Sequence, residues 1–241
     1  MNDYFCRMNE IKKYKHLFID LDRTLWDFEK SAQQTFETIY LKYNLKKLGV
    51  PSIDEFDKYY TIHNNRLWDY YRKGEIKKEI LSVQRFELTL KDFLIVDEKL
   101  AKYIANDYIN LSPTMVNLFP YTHEILSYLK SKYTLHIITN GFEEVQQNKL
   151  DYASLRQYFT HIITSEMAGV KKPEPEIFDY AFQITKASAQ ESLMIGDDLK
   201  VDISGAQAVG MDQLFVNYDK IKHSENPTFE VNGLKEIESL L

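Results

Sequence analysis

The chain has 241 residues and a net charge of −6, with hydrophobic residues at 44% and charged residues at 27%. This length suffices for one domain with a large insertion or for two small domains. The acidic balance argues against general binding to nucleic acid or to an anionic membrane surface, because both attract basic proteins. The single cysteine, Cys6, excludes an internal disulfide framework and a multi-cysteine zinc site, and it is compatible with a reducing cytosol.

The N-terminal segment Met1–Lys15 is mixed and charged, and it lacks the apolar core of a signal peptide. No segment reaches the length of a membrane span. We therefore expect a cytoplasmic protein without a membrane partner, and nothing in the sequence indicates a protein partner.

Five short apolar segments do not alternate with polar residues, which is typical of strands buried on both faces of a parallel sheet. They are Leu17–Asp20, Leu135–Thr139, His161–Thr164, Leu193–Gly196 and Gln213–Asn217. Segments with helical periodicity follow or precede the later strands: Thr122–Lys132, Glu143–Leu150, Pro175–Lys186 and Asp202–Val209. The alternation predicts an α/β fold built on a doubly wound parallel sheet.

Four helical patterns interrupt this alternation after the first strand: Phe28–Tyr43, Ser52–Arg72, Lys77–Lys91 and Glu98–Leu111. We predict that residues 27–111 form an all-helical cap domain, and that residues 1–26 and 112–241 form the α/β core. A solvated helical decoration is the alternative. A lid is favoured because ligands of open α/β sheets bind at the carboxyl ends of the strands, where this insertion leaves the sheet.

Two carboxylates, Asp20 and Asp22, stand where the first predicted strand turns into a loop. Like charges held close repel each other unless a cation or a proton intervenes. A phosphoryl-transfer enzyme can use such a pair, because one carboxylate can attack phosphorus while the other transfers a proton and Mg²⁺ neutralises the charge. A calcium-binding EF-hand loop does not fit, since its sixth position would be Leu25 instead of glycine. A solvated turn remains the alternative for this pair alone.

Three further segments place complementary groups at or beyond predicted strand ends. The Thr139 hydroxyl and the backbone N–H groups beside Gly141 can hold a phosphate oxygen. A simple turn without a binding role is the alternative interpretation of this segment. Lys172 can neutralise both a nucleophile and a phosphoryl group. Asp197 is placed to ligate Mg²⁺, whereas Asp202 stands at a predicted helix start and can serve as its N-cap.

Four segments, taken in chain order, resemble the four motifs of the haloacid dehalogenase (HAD) superfamily. They are Asp20–Thr24, Thr139–Gly141, Lys172-Pro173, and Gly196-Asp197 with Asp202. The resemblance spans nearly the whole chain. It implies a Rossmann-like core with the first strand at its centre and an inserted helical cap of the C1 type.

The resemblance also implies catalytic roles. Asp20 would be the nucleophile and Asp22 the general acid and base, with Lys172 as a third catalytic group. Thr139, Asn140 and Lys172 would bind the substrate phosphate.

The implied cofactor is Mg²⁺. Its ligands would be Asp20, Asp197 and the main-chain carbonyl of Asp22, and Asp202 would support the metal site or Lys172 from behind. The resemblance assigns no role to Asp198.

Asp22 also distinguishes branches of this superfamily. Dehalogenases displace halide, which leaves without a proton, and they lack an acid at this position; the alkoxide of a phosphate ester needs a proton. The sequence therefore favours a phosphatase over a dehalogenase. A phosphatase or mutase for sugar phosphates or other small metabolites is an alternative, and a non-catalytic binding protein is a remote one.

The cap segments Asn64–Trp68, Gly74–Ile76 and Arg85-Phe86 resemble the bacterial pyrimidine 5'-nucleotidase branch. This implies that the partner is a small phosphate ester, a nucleoside monophosphate, and it makes Trp68 and Arg85 candidates for specificity. Aromatic residues at helical spacing are nevertheless more often part of a core. The histidines show no metal-ligand spacing, and we interpret the three in or beside predicted strands as ordinary strand residues: His16, His136 and His161.

Overall fold

The computed structural model describes residues 14–241, so Cys6 and most of the predicted N-terminal segment lie outside it. A six-stranded sheet with the order β3-β2-β1-β4-β5-β6 organises the α/β part, and every neighbouring pair is parallel. The strands are β1 His16–Ile19, β2 Thr134–Thr139, β3 His161–Thr164, β4 Ser192–Gly196, β5 Asp212–Val216 and β6 Phe229–Val231. The predicted α/β class with a doubly wound parallel sheet is confirmed, and β1 lies inside the sheet between β2 and β4.

The central strands are apolar because both faces of the sheet are covered. Leu17 of β1 pairs in register with Leu135 of β2 and with Leu193 of β4, and all three are buried. This parallel register brings the carboxyl ends of β1, β2 and β4 to the same edge of the sheet, where the candidate residues follow.

The sixth strand, β6, was not predicted. It has three residues, and only Val231 is buried. Such a short edge strand is formed by pairing with β5 and carries too little apolar pattern to be recognised in the sequence.

Five helices flank the sheet or connect its strands. They are α6 Thr122–Lys130, α7 Glu143–Tyr152, α8 Ser165–Ala168, α9 Pro175–Thr185 and α10 Ser204–Ala208. A π-helical turn, Leu199–Ile203, precedes α10. The helical segment predicted to begin at Asp202 therefore begins earlier, because Asp198 accepts hydrogen bonds from the backbone N–H groups of Lys200 and Val201 at 2.8 and 3.1 Å.

The insertion after β1 consists of helices α1 Phe28–Lys42, α2 Leu45–Leu48, α3 Ile53–Arg72, α4 Lys78–Asp92 and α5 Glu98–Leu111. Helix α3 shows why these segments form helices with one buried face. The Ser52 side chain caps its first turn by accepting a hydrogen bond from the N–H of Glu55. Its buried residues recur every three or four positions on one face: Phe56, Tyr60, Asn64, Leu67 and Tyr71.

Contacts between Cα atoms divide the chain into two compact units. Of the described residues, the first unit contains 14–26, Leu118–Glu143 and Leu155–Leu241, and the second contains Asp27–Asn117 and Glu144–Ser154. The second unit thus takes up α7 in addition to the inserted helices. The predicted domain ranges, 27–111 for the cap and the remainder for the core, stay a prediction. Among residues 14–241, no helix combines the length and the apolar character that crossing a membrane requires.

Candidate active site

The loop after β1 turns back on itself immediately beyond the strand. The N–H of Asp20 still donates to the carbonyl of Ile195 in β4 at 2.9 Å, so this residue is anchored to the sheet. The N–H groups of Leu25 and Trp26 both donate to the Leu21 carbonyl at 2.9 Å. This closed loop buries Asp20, which is 8% exposed, and leaves Asp22 half-buried beside it.

Lys172 forms the centre of a buried ion-pair network. Its ammonium donates to Oδ1 of Asp20 at 2.6 Å, to Oδ1 of Asp202 at 2.7 Å and to the carbonyl of Ile138 at 2.8 Å. Burial alone would lower the pKa of Lys172, but the two carboxylates outweigh it and hold that pKa above its usual range. The lysine is therefore a permanent cation with all three ammonium protons bonded.

Three carboxylates lie close together at this site, and two of them contact Lys172. Asp20, Asp197 and Asp202 each offer one oxygen atom, and these atoms lie within 4.8 Å of one another. Burial raises the pKa of Asp20 to about 7 against the opposing effect of Lys172. Burial, together with Asp202 and Asp20, raises the pKa of Asp197 well above its usual range. A divalent cation would relieve this repulsion, and the all-oxygen donor set fits Mg²⁺.

The three carboxylates differ in how many hydrogen bonds their oxygens already accept. Oδ1 of Asp202 accepts from Lys172, and its Oδ2 accepts from the N–H of Asp198 at 3.2 Å. Asp202 is thus committed to holding Lys172. Asp20 and Asp197 are the predicted side-chain ligands that the structure brings together, while the predicted role of the Asp22 carbonyl stays a prediction.

Close approach explains why glycine precedes Asp197. A Cβ atom built on Gly196 would lie 2.3 Å from Oδ2 of Asp202 and 2.6 Å from its Cβ. Real Cβ atoms do not tolerate such distances, so the absence of a side chain at Gly196 lets Asp202 reach Lys172. The alternative interpretation of Asp202 as an N-cap was wrong, because Asp198 performs that function.

Thr24 is a site residue to which the sequence analysis assigned no role. It is fully buried, and its hydroxyl donates to Oδ1 of Asp197 at 3.1 Å. The Tyr218 hydroxyl in turn donates to the Thr24 carbonyl at 2.8 Å. Thr24 therefore orients a candidate metal ligand, and its only sequence signal was its place in the segment Asp20–Thr24.

The end of β2 contributes Thr139 and Asn140. Thr139 is buried, and its Oγ1 accepts a hydrogen bond from the N–H of Gly141 at 3.1 Å. The Asn140 amide pairs with the backbone of Lys172 through two hydrogen bonds of 2.9 Å. Asn140 is thus next to Lys172 in the structure, and the predicted contacts of Thr139 and Asn140 with phosphate stay predictions.

The family model for haloacid dehalogenase-like hydrolases matches residues 17–216. The chain belongs to this family. The resemblance inferred from the four motifs is thereby confirmed for this HAD-like hydrolase.

Relatives match the HAD-like hydrolase over most of its length. The pyrimidine 5'-nucleotidase PynA of Streptococcus pneumoniae (strain ATCC BAA-255 / R6) is 30% identical, with 93% of each chain covered. The pyrimidine 5'-nucleotidase YjjG of Escherichia coli (strain K12) is also 30% identical, covering 95% of this chain and 98% of its own. The crystal structure of the HAD-hydrolase YfnB from Bacillus subtilis, bound to magnesium, superposes with a TM-score of 0.86 at 27% identity, covering 95% of this chain and 98% of YfnB.

The two candidate specificity residues of the HAD-like hydrolase both belong to its helical unit. Arg85 is 4% exposed, and its Nη1 donates to the Tyr60 hydroxyl at 3.0 Å and to Oδ1 of Asn64 at 3.2 Å. Its guanidinium carbon lies 4.8 Å from the centre of the Tyr108 ring. Trp68 is half-buried. Arg85 therefore joins α3, α4 and α5 in the interior of this unit, and a role of either residue in specificity stays a prediction.

Three histidines that were interpreted as ordinary strand residues form a row across β1, β2 and β3. Nδ1 of His16 lies 3.1 Å from Nε2 of His136, and Nδ1 of His136 lies 3.3 Å from Nδ1 of His161. They do belong to strands, but they contact one another because the strand order makes β1, β2 and β3 neighbours. The sequence alone contains no signal for this row.

Proposed function

We propose that this HAD-like hydrolase is a Mg²⁺-dependent phosphomonoester hydrolase that acts through an aspartyl-phosphate and prefers nucleoside 5'-monophosphates. One observation carries the phosphatase proposal. A buried carboxylate, Asp20, is held through a single oxygen by Lys172, and a second carboxylate, Asp22, follows two residues later on the same loop. Such a pair can supply a nucleophile and a group that transfers a proton.

The hydrogen bonds of Asp20 support a choice between its two oxygens as the nucleophile. Oδ1 accepts from Lys172, whereas no residue within 14–241 donates a hydrogen bond to Oδ2. In the proposed reaction, Oδ2 is the oxygen that attacks phosphorus, forming the new P–O bond as the ester P–O bond breaks. Lys172 keeps the other oxygen in place and offsets negative charge as it builds up.

Asp22 then handles the proton in both half-reactions. Its carboxylic acid protonates the alkoxide that leaves phosphorus. The resulting carboxylate takes a proton from the water that hydrolyses the aspartyl-phosphate, which restores both aspartates. This use of a second carboxylate favours ester hydrolysis over halide displacement.

The metal site supports the same proposal. Asp20 and Asp197, with the main-chain carbonyl of Asp22, would hold Mg²⁺, and Thr24 and Asp202 would keep the neighbouring groups in place. When bound, Mg²⁺ supplies neutralisation of the anionic phosphate and of the carboxylates around it. The cluster of oxygen donors within 4.8 Å is the support for this assignment.

The nucleotide preference rests on similarity to PynA and YjjG, which cover at least nine-tenths of the chain at 30% identity. A phosphatase or mutase for sugar phosphates would use the same core residues, because these contact only phosphate and metal. We assign the choice between the two to the helical unit, with the half-buried Trp68 as its candidate.

A substrate panel tests the proposal. The purified protein with Mg²⁺ is given pyrimidine and purine nucleoside 5'-monophosphates, sugar phosphates and a small aryl phosphate, and phosphate release is measured. We expect at least tenfold higher kcat/KM for a pyrimidine nucleotide than for any sugar phosphate, and no turnover by Asp20→Asn. A sugar phosphate as the best substrate would remove the nucleotidase assignment, and no release from any ester would remove the phosphatase assignment.

A further inference from the structure

The side chain of Asn140 pairs with the peptide groups of Lys172 in the way that two amides pair with each other. Its Nδ2 donates to the Lys172 carbonyl at 2.9 Å, and its Oδ1 accepts from the Lys172 N–H at 2.9 Å. The two residues are 32 positions apart in the chain. The pairing therefore ties the loop after β2 to the loop that carries the lysine.

We propose that Asn140 is a positioning residue, which fixes the backbone of Lys172 so that the ammonium group lies between Asp20 and Asp202. This inference rests on the proposed phosphatase function and gives Asn140 a role different from the phosphate contact implied by the family resemblance.

Lys172 is held at both of its ends by the same segment of chain. Asn140 holds its backbone, and the carbonyl of Ile138, two residues earlier, accepts from its ammonium at 2.8 Å. A lysine side chain has four rotatable bonds and loses much rotamer entropy when it is ordered. When the backbone of Lys172 is already fixed by Asn140, ordering the side chain costs less entropy. The ammonium then stays aligned with its acceptors on Asp20 and Asp202 at 2.6 and 2.7 Å.

The same pairing fixes the lysine relative to the other proposed phosphate donors. Asn140 directly follows Thr139, whose hydroxyl would contact the phosphate. A displacement of about 1 Å between reacting groups can cost on the order of 100-fold in rate. Asn140 thus links the position of Lys172 to that of the phosphate.

The competing explanation is a direct contact with phosphate. Of the polar groups on the Asn140 side chain, Oδ1 and one N–H of Nδ2 are occupied by Lys172. One N–H of Nδ2 remains as a donor. The two explanations differ in whether the effect of Asn140 requires Lys172, and this difference can be measured.

The test is a double-mutant cycle between Asn140→Ala and Lys172→Met, read out as the affinity of the Mg²⁺-loaded protein for inorganic phosphate. We expect Asn140→Ala to weaken phosphate binding at least fivefold in the wild-type background and less than twofold in the Lys172→Met background. An equal loss in both backgrounds would establish direct contact and overturn the positioning role. No loss in the wild-type background would overturn it as well.

Turnover of a small aryl phosphate provides the second readout. Asn140→Ala should lower kcat about 10- to 100-fold. Asn140→Asp keeps an acceptor for the Lys172 N–H but places a carboxylate oxygen against the Lys172 carbonyl, so it should also lower kcat, and it replaces the alanine variant if that variant does not fold. Ser165→Ala is the matched control, since within the described residues 14–241 the Ser165 hydroxyl donates only to the Asn140 carbonyl, at 3.4 Å, and it should stay within twofold of wild type. Wild-type kcat in Asn140→Ala would refute the inference.

The two proposals fail in different ways. Absence of phosphate release by the wild-type protein would remove the proposed function, while the cycle in phosphate affinity would still decide whether Asn140 acts through Lys172. A wild-type protein that neither binds nor releases phosphate would remove both.

Discussion

Gly196 shows how closely single residues are fitted at this site. Adding a methyl group there would bring carbon within 2.3 Å of Oδ2 of Asp202, so the carboxylate must move away from Lys172. We expect Gly196→Ala to destabilise the fold by about 1–3 kcal/mol, as other overpacked interiors are destabilised. It should also lower phosphatase activity more than tenfold, because Lys172 loses one acceptor. Urea unfolding and phosphate release measure the two effects, and wild-type values for both would contradict this account of the glycine.

Asp22 is predicted to matter most when the leaving group needs a proton. Asp22→Asn removes the acid, so kcat should fall by at least 100-fold for an alkyl phosphate. An activated aryl phosphate leaves more readily and should lose less in the first step, although its second step still needs a base. Single-turnover rates on the two esters separate the steps. Equal losses in the first step would show that Asp22 does not protonate the leaving group.

The carboxylate cluster predicts a strict need for a divalent metal. Lys172 alone offsets too little of the charge of Asp20, Asp197 and Asp202, to which the substrate adds more. Chelation by EDTA should therefore abolish turnover, and Mg²⁺ should restore it. Thr24→Val removes the hydroxyl that donates to Asp197 and should raise the Mg²⁺ concentration needed for half-maximal rate. Full activity of protein shown to be metal-free by elemental analysis would overturn the metal assignment.

At the scale of the elements, the row of histidines across β1, β2 and β3 makes the sheet sensitive to acid. Burial, followed by the neighbouring His16 and His161, lowers the pKa of His136 to about 3 in the folded protein, whereas an unfolded chain titrates near 6.5. Between these values the unfolded chain binds more protons at His136, so the contribution of His136 to stability falls as the pH falls. The buried carboxyl groups of Asp20 and Asp197, whose pKa values are raised, contribute with the opposite sign.

The expected slope from His136 is at most about 1.4 kcal/mol per pH unit below pH 6, and its contribution is constant above pH 7. Replacing His136 by phenylalanine removes the titrating group and should remove this contribution from the pH dependence of the unfolding free energy, whatever its effect on absolute stability. Urea unfolding of both proteins at a series of pH values between 4.5 and 7.5 measures it. Parallel pH profiles would show that another group governs acid sensitivity.

Elements also show what the sequence could and could not predict. The apolar segments predicted five of six strands, and parallel strands bring their carboxyl ends together, which is why Asp20, Lys172 and Asp197 could be grouped in advance. The contacts of Thr24 and of the three histidines depend on which strands are neighbours and on their register. Those are products of tertiary packing and leave no local pattern. The sequence did not predict that Asp198 caps the helical turn beginning at Leu199, because the successive residues Asp197 and Asp198 carry the same local signal for an N-cap.

At the scale of the whole molecule, the helical unit is built from two separate stretches of the chain. The two ends of the first stretch, Asp27–Asn117, lie next to each other, since the N–H of Asp27 donates to the carbonyl of Asn117 at 2.9 Å. The second contains α7, where Glu144 pairs with Lys78 of α4 at 2.6 Å.

This division determines how the protein can be recombined with its relatives. A chimera that exchanges only residues 27–117 would have convenient junctions, because the two cut ends are hydrogen-bonded to each other. It would nevertheless separate α7 from the helices among which it is grouped, and leave Glu144 facing a foreign partner. An exchange that transfers the helical unit intact must also carry residues 144–154, although they lie beyond β2 in the sequence.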